Sequence, residues 1–514
     1  MKKVNRREAL VSGGLVTGGW MSALGFAPNL SAAEKAPSPT IYSRIGYTPF
    51  INLTATYTIN GGGLTLPEVK RAMDEASYYP VNLDELMEKV GARVAELLGA
   101  EAAMVTCGAA SALTSGTVGA IAGTDPEKMQ QIPDLTGLKN EVIIPRQSRN
   151  AYDHAFRTMG TKMVEVETVE QAERAAGGRT ALIAMLGTGE SKGPIKLEHL
   201  AAIGKKHSIP VIVDAAAELP VKVNPYLSRG ATMVAYSGGK SLRGPQCSGL
   251  LLGSRNSIRA AWASCSPHHA FGRNMKVGKE EIMGMLAAVE IWARTYNLDA
   301  DYAIWKGWYG QIQERINQID GVKTEVKPPA GASPFPVLDL AWDPGKIGYT
   351  AGEVGKLLLN GSPRIMSHGE GEGHGFLIRP VAMREGDSKL VAKRLEEILR
   401  GAPKGKPSKV PAAPVVNLAG NWAVDLEFSV GSTRHQFELA TNGTKVSGTH
   451  AGRVGRSAIQ GEMDGKQVRL RSGIRYEGTT LSYTFRGTVE GGRMSGDVDL
   501  GEYGKARFVA TKLG

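Results

Sequence analysis

The chain has 514 residues, 42% hydrophobic and 22% charged, a globular composition too long for one ordinary core, which predicts two or three domains. Its formal charge of +11 brings nucleic acid to mind, yet Lys and Arg are spread beside Asp and Glu with no dense basic block. That pattern speaks against nucleic acid and for a small anionic partner. Cys107, Cys247 and Cys265 are too few for a disulfide scaffold and lack metal-ligand spacing, although one disulfide remains open.

The first residues, "MKKVNRREALVSGGLVTGGWMSALGFAPNLSAA", place Arg6 and Arg7 before a Gly-rich apolar stretch, Val11 to Ala27, and a small-residue cleavage site ending at Ala33. This pattern resembles a twin-arginine export signal over 1–33 and predicts a periplasmic location. The apolar stretch is short and broken by Gly, so no stable membrane span is expected.

From Ile41 to about Gly401, short apolar runs alternate with helical patterns. "LDELMEKVGARVAELLG" puts Leu83, Leu86, Met87, Val90, Val94, Leu97 and Leu98 on one helical face. "AMVT", "EVIIP", "TALIAML", "VIVD" and "TMVAYS" read as buried strands. The expected fold is α/β with a mostly parallel sheet. Residues 34–270 form an N-terminal segment and large domain, and 271–400 a small α/β domain. "GAPKGKPSKVPAAP", 401–414, is a linker rich in Pro, Lys and Gly. Beyond it the period becomes two: Trp422, Val424, Leu426 and Phe428 alternate with polar residues, as do Leu481, Tyr483 and Phe485. Turns are expected at Asn442-Gly443, Asp464-Gly465 and Gly491-Gly492. Residues 415–514 therefore predict an antiparallel β-domain, a small barrel or sandwich, that folds alone and is separable from the chemistry.

Ligands of an open parallel sheet sit at the carboxyl ends of its strands. Asp214 ends "VIVD", and Lys240 follows 26 positions later in "YSGGKSLRG", just past another strand. Upstream, "VTCGAASAL" opens a helix with Gly108, Ala109, Ala110 and Ser111, whose free N–H groups make a phosphate site. Phosphate cup, Asp, then Lys is the set pyridoxal 5′-phosphate requires: N–H donors, a carboxylate for the ring nitrogen and an amine for the Schiff base.

These motifs, with "INLTATYTINGGGLTLPEVKRAM", "VNLDELMEKVGARVAELLGAEAAMVTCGAASAL", "VIVDAAAELP", "YSGGKSLRGPQCSGLLLG" and "NMKVGKEEIMGMLAAVE", resemble the selenocysteine-synthase-like group of fold-type I pyridoxal-phosphate enzymes, on its D-glucosaminate-6-phosphate ammonia-lyase branch. The resemblance implies Lys240 as the Schiff-base lysine, Asp214 as the ring-nitrogen partner, and Gly108, Ala109, Ala110 and Ser111 with Ser237 as the phosphate cup. It also implies that "PRQSRNAYDHAFRTMG" lines the site, with Arg149 and Tyr152 toward substrate and His154 or Tyr152 against the cofactor ring. Ala55 stands where the family usually shows Gly, and Cys107 where it shows Ser.

Arg364 in "GSPRIMS" is a candidate clamp for a substrate carboxylate. "HGEGEGHG" sets His368, Glu370, Glu372 and His374 at every second position, but the glycines argue for a loop and the cofactor requires no metal. The expected activity is β-dehydration of a hydroxy amino acid or amino-sugar acid, with hydrolysis to a 2-oxo acid and ammonia, in a homodimer or larger homo-oligomer. Racemisation with the same cofactor is the alternative, and a non-catalytic binding protein the alternative of another class.

Overall fold

In the computed structural model the described residues are 40–330, 334–369, 371–404 and 411–513. Arg6, Arg7 and the cleavage site, Glu370 and part of the linker lie outside them. Chain up to Pro49 is one unit, whose described part carries a 3₁₀ turn, Ile41–Ile45; everything from Phe50 onward is the second.

The second unit is built around a seven-stranded sheet. Its strands are β1 (Ala102–Thr106), β2 (Glu141–Pro145), β3 (Lys162–Val166), β4 (Thr180–Leu186), β5 (Val211–Asp214), β6 (Met233–Ser237) and β7 (Gly249–Gly253), in the order β1-β7-β6-β5-β4-β2-β3. Only β7 runs against the others. The central strands are buried along nearly their whole length, as expected of strands covered on both faces, so they read as apolar runs rather than alternations. The helix Leu83–Leu98 is capped by Asn82, whose side chain accepts from the Asp84 and Glu85 N–H groups, and it buries Met87, Val90, Val94 and Leu98.

A second core lies under β8 (Val322–Lys327), β9 (Val337–Trp342) and β10 (Gly375–Ile378), an antiparallel sheet packed with the helices Leu298–Ile316 and Asp387–Arg400. Two details differ from the expected boundaries. The helix Lys279–Arg294 buries Ile282, Met285 and Val289 in the large core rather than the small one. Leu53, far upstream, joins the small core, because Ile51 and Asn52 pair with Ile365 and Met366.

The C-terminal strands β11 (Gly420–Glu427), β12 (Ser432–Asn442), β13 (Lys445–Gly452), β14 (Gly455–Asp464), β15 (Gln467–Tyr476), β16 (Thr479–Glu490), β17 (Arg493–Asp499) and β18 (Lys505–Lys512) close into a barrel. Each pairs antiparallel with the next, and β11 with β18. Gly443, Gly465 and Gly491 open two-residue turns at φ of 58°, 61° and 58°, which glycine adopts freely. Trp422, Val424, Leu426, Phe437, Phe485 and Phe508 fill the interior.

The barrel is not a detached unit. Its β15–β16 hairpin tip, Glu477–Gly478, packs on Asn150–Asp153, and Arg469 reaches Glu372 at 3.0 Å. A polar linker and an alternating pattern describe a domain's own core. They carry no record of the charges on its surface.

Candidate active site

β5 ends on Asp214, 6% exposed, one of whose carboxylate oxygens accepts from Ala216 N–H at 3.0 Å. β6, its neighbour, ends on Ser237, and the chain turns at once through Gly238 and Gly239 into Lys240. Gly238 N–H donates to Ser248 O at 2.9 Å, and Gly244 N–H to Gly238 O at 2.9 Å. A Cβ on Gly238 would overlap Ser248 Oγ, and one on Gly239 would come within 2.7 Å of Gln246 Cα. The two glycines exist to let this turn fold back on itself and lift Lys240 to the sheet edge.

Burial pushes the Asp214 carboxyl up, an effect opposed by its hydrogen bond to Ala216 and by the Lys240 charge. Burial pushes the Lys240 ammonium down, opposed by Asp214. Lys240 is half-buried, and its Nζ lies 5.9 Å from the centroid of the Tyr152 ring. His154 is exposed and opens the helical turn His154–Arg157.

β1, on the same edge, leads into the helix Ala109–Ala122 through Gly108, at φ 129°. The first helical bond runs from Ala112 N–H to Gly108 O at 3.0 Å, which leaves the Ala109, Ala110 and Ser111 N–H groups ahead of it. Nothing lies within 4 Å of where a Gly108 Cβ would stand, and a Cβ on Gly249 behind it would be 2.5 Å from Gly108 C. The cup is thus open in front and fixed behind. Pyridoxal 5′-phosphate fits this donor set: an open cup of N–H groups, a buried carboxylate with an oxygen to spare, and an amine without a hydrogen bond among the described residues.

Arg149 departs from expectation. Its guanidinium, 6% exposed, pairs with Asp153, with Glu165 at 3.1 Å and with Glu477 at 2.5 Å. Nε, Nη1 and Nη2 are thus each engaged by a carboxylate of the chain itself, in place of the substrate that the sequence pattern led us to expect. Arg364 is half-buried and donates from Nε to Leu359 O at 3.1 Å. The three described residues of the row after it are dispersed: His368 Nε2 lies 3.3 Å from Thr54 O, Glu372 faces Arg469, and His374 packs on Trp342.

Three further groups were missed. Arg379, half-buried at the end of β10, donates its N–H to Leu53 O at 3.0 Å and has no carboxylate partner among the described residues. Gly62 and Gly63 pack on the Lys240 turn; a Gly63 Cβ would be 2.9 Å from Gly239 O. Glu218 accepts from Tyr226 Oη at 2.7 Å, while its other oxygen is buried without a partner among the described residues. Burial raises its carboxyl, and Asp214 raises it further. "DAAAE", with a second acid four residues after the first, was a legible signal for Glu218; Arg379 left none beyond its strand end.

No family model matches the chain. It is 30% identical over 405 residues to a 5'-C-glycyluridine monooxygenase-decarboxylase from Streptomyces sp, covering 75% of this chain and 99% of that protein. It is 28% identical over 377 residues to D-glucosaminate-6-phosphate ammonia lyase of Salmonella typhimurium (strain 14028s / SGSC 2262), covering 71% and 99%. A solved structure of D-glucosaminate-6-phosphate ammonia-lyase superposes with a TM-score of 0.64 at 27% identity, over 71% of this chain and 99% of that one. L-seryl-tRNA(Sec) selenium transferase of Proteus mirabilis (strain HI4320) matches at 25% over 292 residues, 49% of this chain and 58% of its own. With the strand-end lysine and aspartate and the uncapped helix already in place, the chain belongs to the selenocysteine-synthase-like family of fold-type I pyridoxal-phosphate enzymes.

Proposed function

We propose that the chain is a lyase that releases ammonia from a small anionic hydroxy amino acid or amino-sugar acid. The observation carrying this reading is the Lys240 amine, half-buried and with no hydrogen bond among the described residues, which interacts with the buried Asp214 carboxyl and lies 5.9 Å from the centroid of the Tyr152 ring. The likeness to an ammonia lyase over nearly that enzyme's whole length supports the reaction class.

Bound pyridoxal phosphate supplies a ring that draws electrons from the substrate's Cα. Lys240 would hold it through Nζ, the Ala109, Ala110 and Ser111 N–H groups with Gly108 and Ser237 would take its phosphate, and Asp214 would balance the charge on its ring nitrogen. The free Lys240 amine would accept the substrate's Cα proton, and burial favours the neutral form this requires. Tyr152, with His154 as the other candidate, gives a proton to the departing β-hydroxyl. Arg379 and Arg364 are the candidates for the substrate carboxylate. Loss of water and hydrolysis then leave a 2-oxo acid and ammonia.

Borohydride reduction and peptide mapping should place the cofactor on Lys240; a label on another lysine would overturn the assignment. A substrate screen in heavy water should give ammonia and a 2-oxo acid deuterated at the former β-carbon. Inverted amino acid deuterated at Cα, without ammonia, would make the enzyme a racemase. Dioxygen uptake with release of carbon dioxide would align it with the monooxygenase-decarboxylase instead.

The Arg6-Arg7 pair and the small-residue site before Glu34 support export in folded form with cofactor loaded. Replacing both arginines by Lys should hold the protein in the cytoplasm, and unchanged periplasmic recovery would sink the idea. Exposed Ile59, Tyr78 and Tyr79 support association of the chain with itself.

A further inference from the structure

The tip of the β15–β16 hairpin is a two-residue turn, Glu477-Gly478, between Tyr476 and Thr479. Glu477 sits at φ 52°, in the left-handed region that turns of this length usually give to Asn, Asp or Gly. A glutamate there breaks the local preference, and such exceptions gather where a contact elsewhere requires them. The contact is Arg149, whose Nη2 lies 2.5 Å from the Glu477 carboxylate although 328 positions separate them. Gly478 is equally committed: a Cβ there would overlap Asn150 O and the Asp153 carboxylate.

The same few residues carry Tyr152. Asp153, only 1% exposed, pairs with Arg149 and accepts from Asn150 N–H at 3.3 Å; the Asn150 side chain accepts from Tyr152 N–H at 2.7 Å. Flanking contacts fix the hairpin on either side: Arg475 lies 3.3 Å from Glu165, and the Arg157 guanidinium stands 5.8 Å from the Tyr476 ring centroid. An unbroken set of contacts thus runs from the barrel tip to the ring 5.9 Å from Lys240 Nζ.

We propose that Glu477 is a positioning residue for the active site: through Arg149 and Asp153, the barrel tip holds the Asn150–Asp153 segment so that Tyr152 faces Lys240. The barrel is then a working part of the enzyme rather than an attached module. This inference rests on Lys240 being the cofactor lysine.

The test uses the full-length holoenzyme, with Glu477→Gln, Glu477→Asp, Tyr152→Phe and the Glu477→Gln/Tyr152→Phe double variant. Circular dichroism and thermal unfolding establish that each is folded. The readouts are the pH midpoint of the visible band of the lysine-bound cofactor and the rate at which hydroxylamine removes that cofactor. Glu477→Gln should shift the midpoint and speed removal roughly tenfold, since small misplacements near reacting groups have effects of that size. Glu477→Asp should restore most of the wild-type behaviour, and in the Tyr152→Phe background Glu477→Gln should add little. If Glu477→Gln does not fold, Gly478→Ala, which pushes the tip off Asn150, replaces it with the same expectation. Wild-type values in folded Glu477→Gln or Gly478→Ala, or effects that simply add to those of Tyr152→Phe, would overturn the proposal. The borohydride label in wild-type protein decides the Lys240 assignment separately, so the two ideas fail by different results.

Discussion

Asp214 and Lys240 follow two neighbouring strands of one sheet, and each offsets the cost of burying the other's charge. Among the described residues neither has a second charged partner of opposite sign, so the pair is poised toward what the strand ends receive. Asp214→Asn should therefore keep the cofactor bound but cut turnover by roughly a hundredfold, because a neutral amide cannot balance a charged ring nitrogen. The visible spectrum and kcat of the purified variant check both halves. Wild-type turnover would leave Asp214 a purely structural role.

Removing the barrel should harm the rest of the protein. A chain ending at Gly401 leaves Arg149, 6% exposed, without Glu477, and Glu165 without Arg475. Uncovering one side of such a network costs on the order of 1–3 kcal/mol. We expect the shortened chain to unfold at lower temperature and to lose cofactor faster, read by calorimetry and absorbance. Equal stability and retention would show that the PLP-binding part is self-sufficient.

Inside the barrel, His435 Nδ1 lies 2.8 Å from His450 Nε2, and His450 Nδ1 lies 3.0 Å from Ser472 Oγ. Burial among Phe437, Tyr483 and Phe485 pushes His450 down to about 3, helped by His435, and burial lowers His435 as well. A histidine whose folded pKa lies below its unfolded value of about 6.5 contributes stability above that pH. The contribution is lost as pH falls from about 6.5 toward 3, and for His450 its ceiling is on the order of 5 kcal/mol. His450→Gln, which cannot titrate, should flatten the pH dependence of thermal unfolding in that window. An unchanged slope would mean that the acid sensitivity arises elsewhere.

Ala55 stands at φ 67° in a loop stitched by Asn52, whose side chain accepts from Thr54 N–H at 2.8 Å and donates to Ala55 O at 2.9 Å. Ala55→Gly removes a conformational penalty of about 1–2 kcal/mol. It also loses a methyl buried against Trp305, Phe335 and Val381, about 0.8 kcal/mol, and adds roughly 0.5–1 kcal/mol of chain entropy. The terms nearly cancel, so the variant should stay within about 1 kcal/mol of wild type. Ala55→Val, branched and confined, should cost about 2 kcal/mol or more by denaturant unfolding. A neutral valine would refute this account.

What the sequence determined alone is what repeats or turns locally. The buried strands of the sheet, the Leu83–Leu98 face, the two-residue barrel turns at Gly443, Gly465 and Gly491, and the helix start at Gly108 all follow from residue periods and glycine positions read over a few residues. Strand ends inherit their placement from topology, so a carboxylate that closes one strand and an amine just past the end of its parallel neighbour reach the same edge. Only the tertiary structure decided which charge meets which. Arg149 looks like any cation in a polar segment until Glu477 arrives from 328 residues away. Leu53 joins a core assembled from residues beyond position 300, and His435 meets His450 across paired barrel strands. A pairing between distant segments leaves no period in either one. Its energy depends on burial and on distance, and both come into being only when the chain has folded.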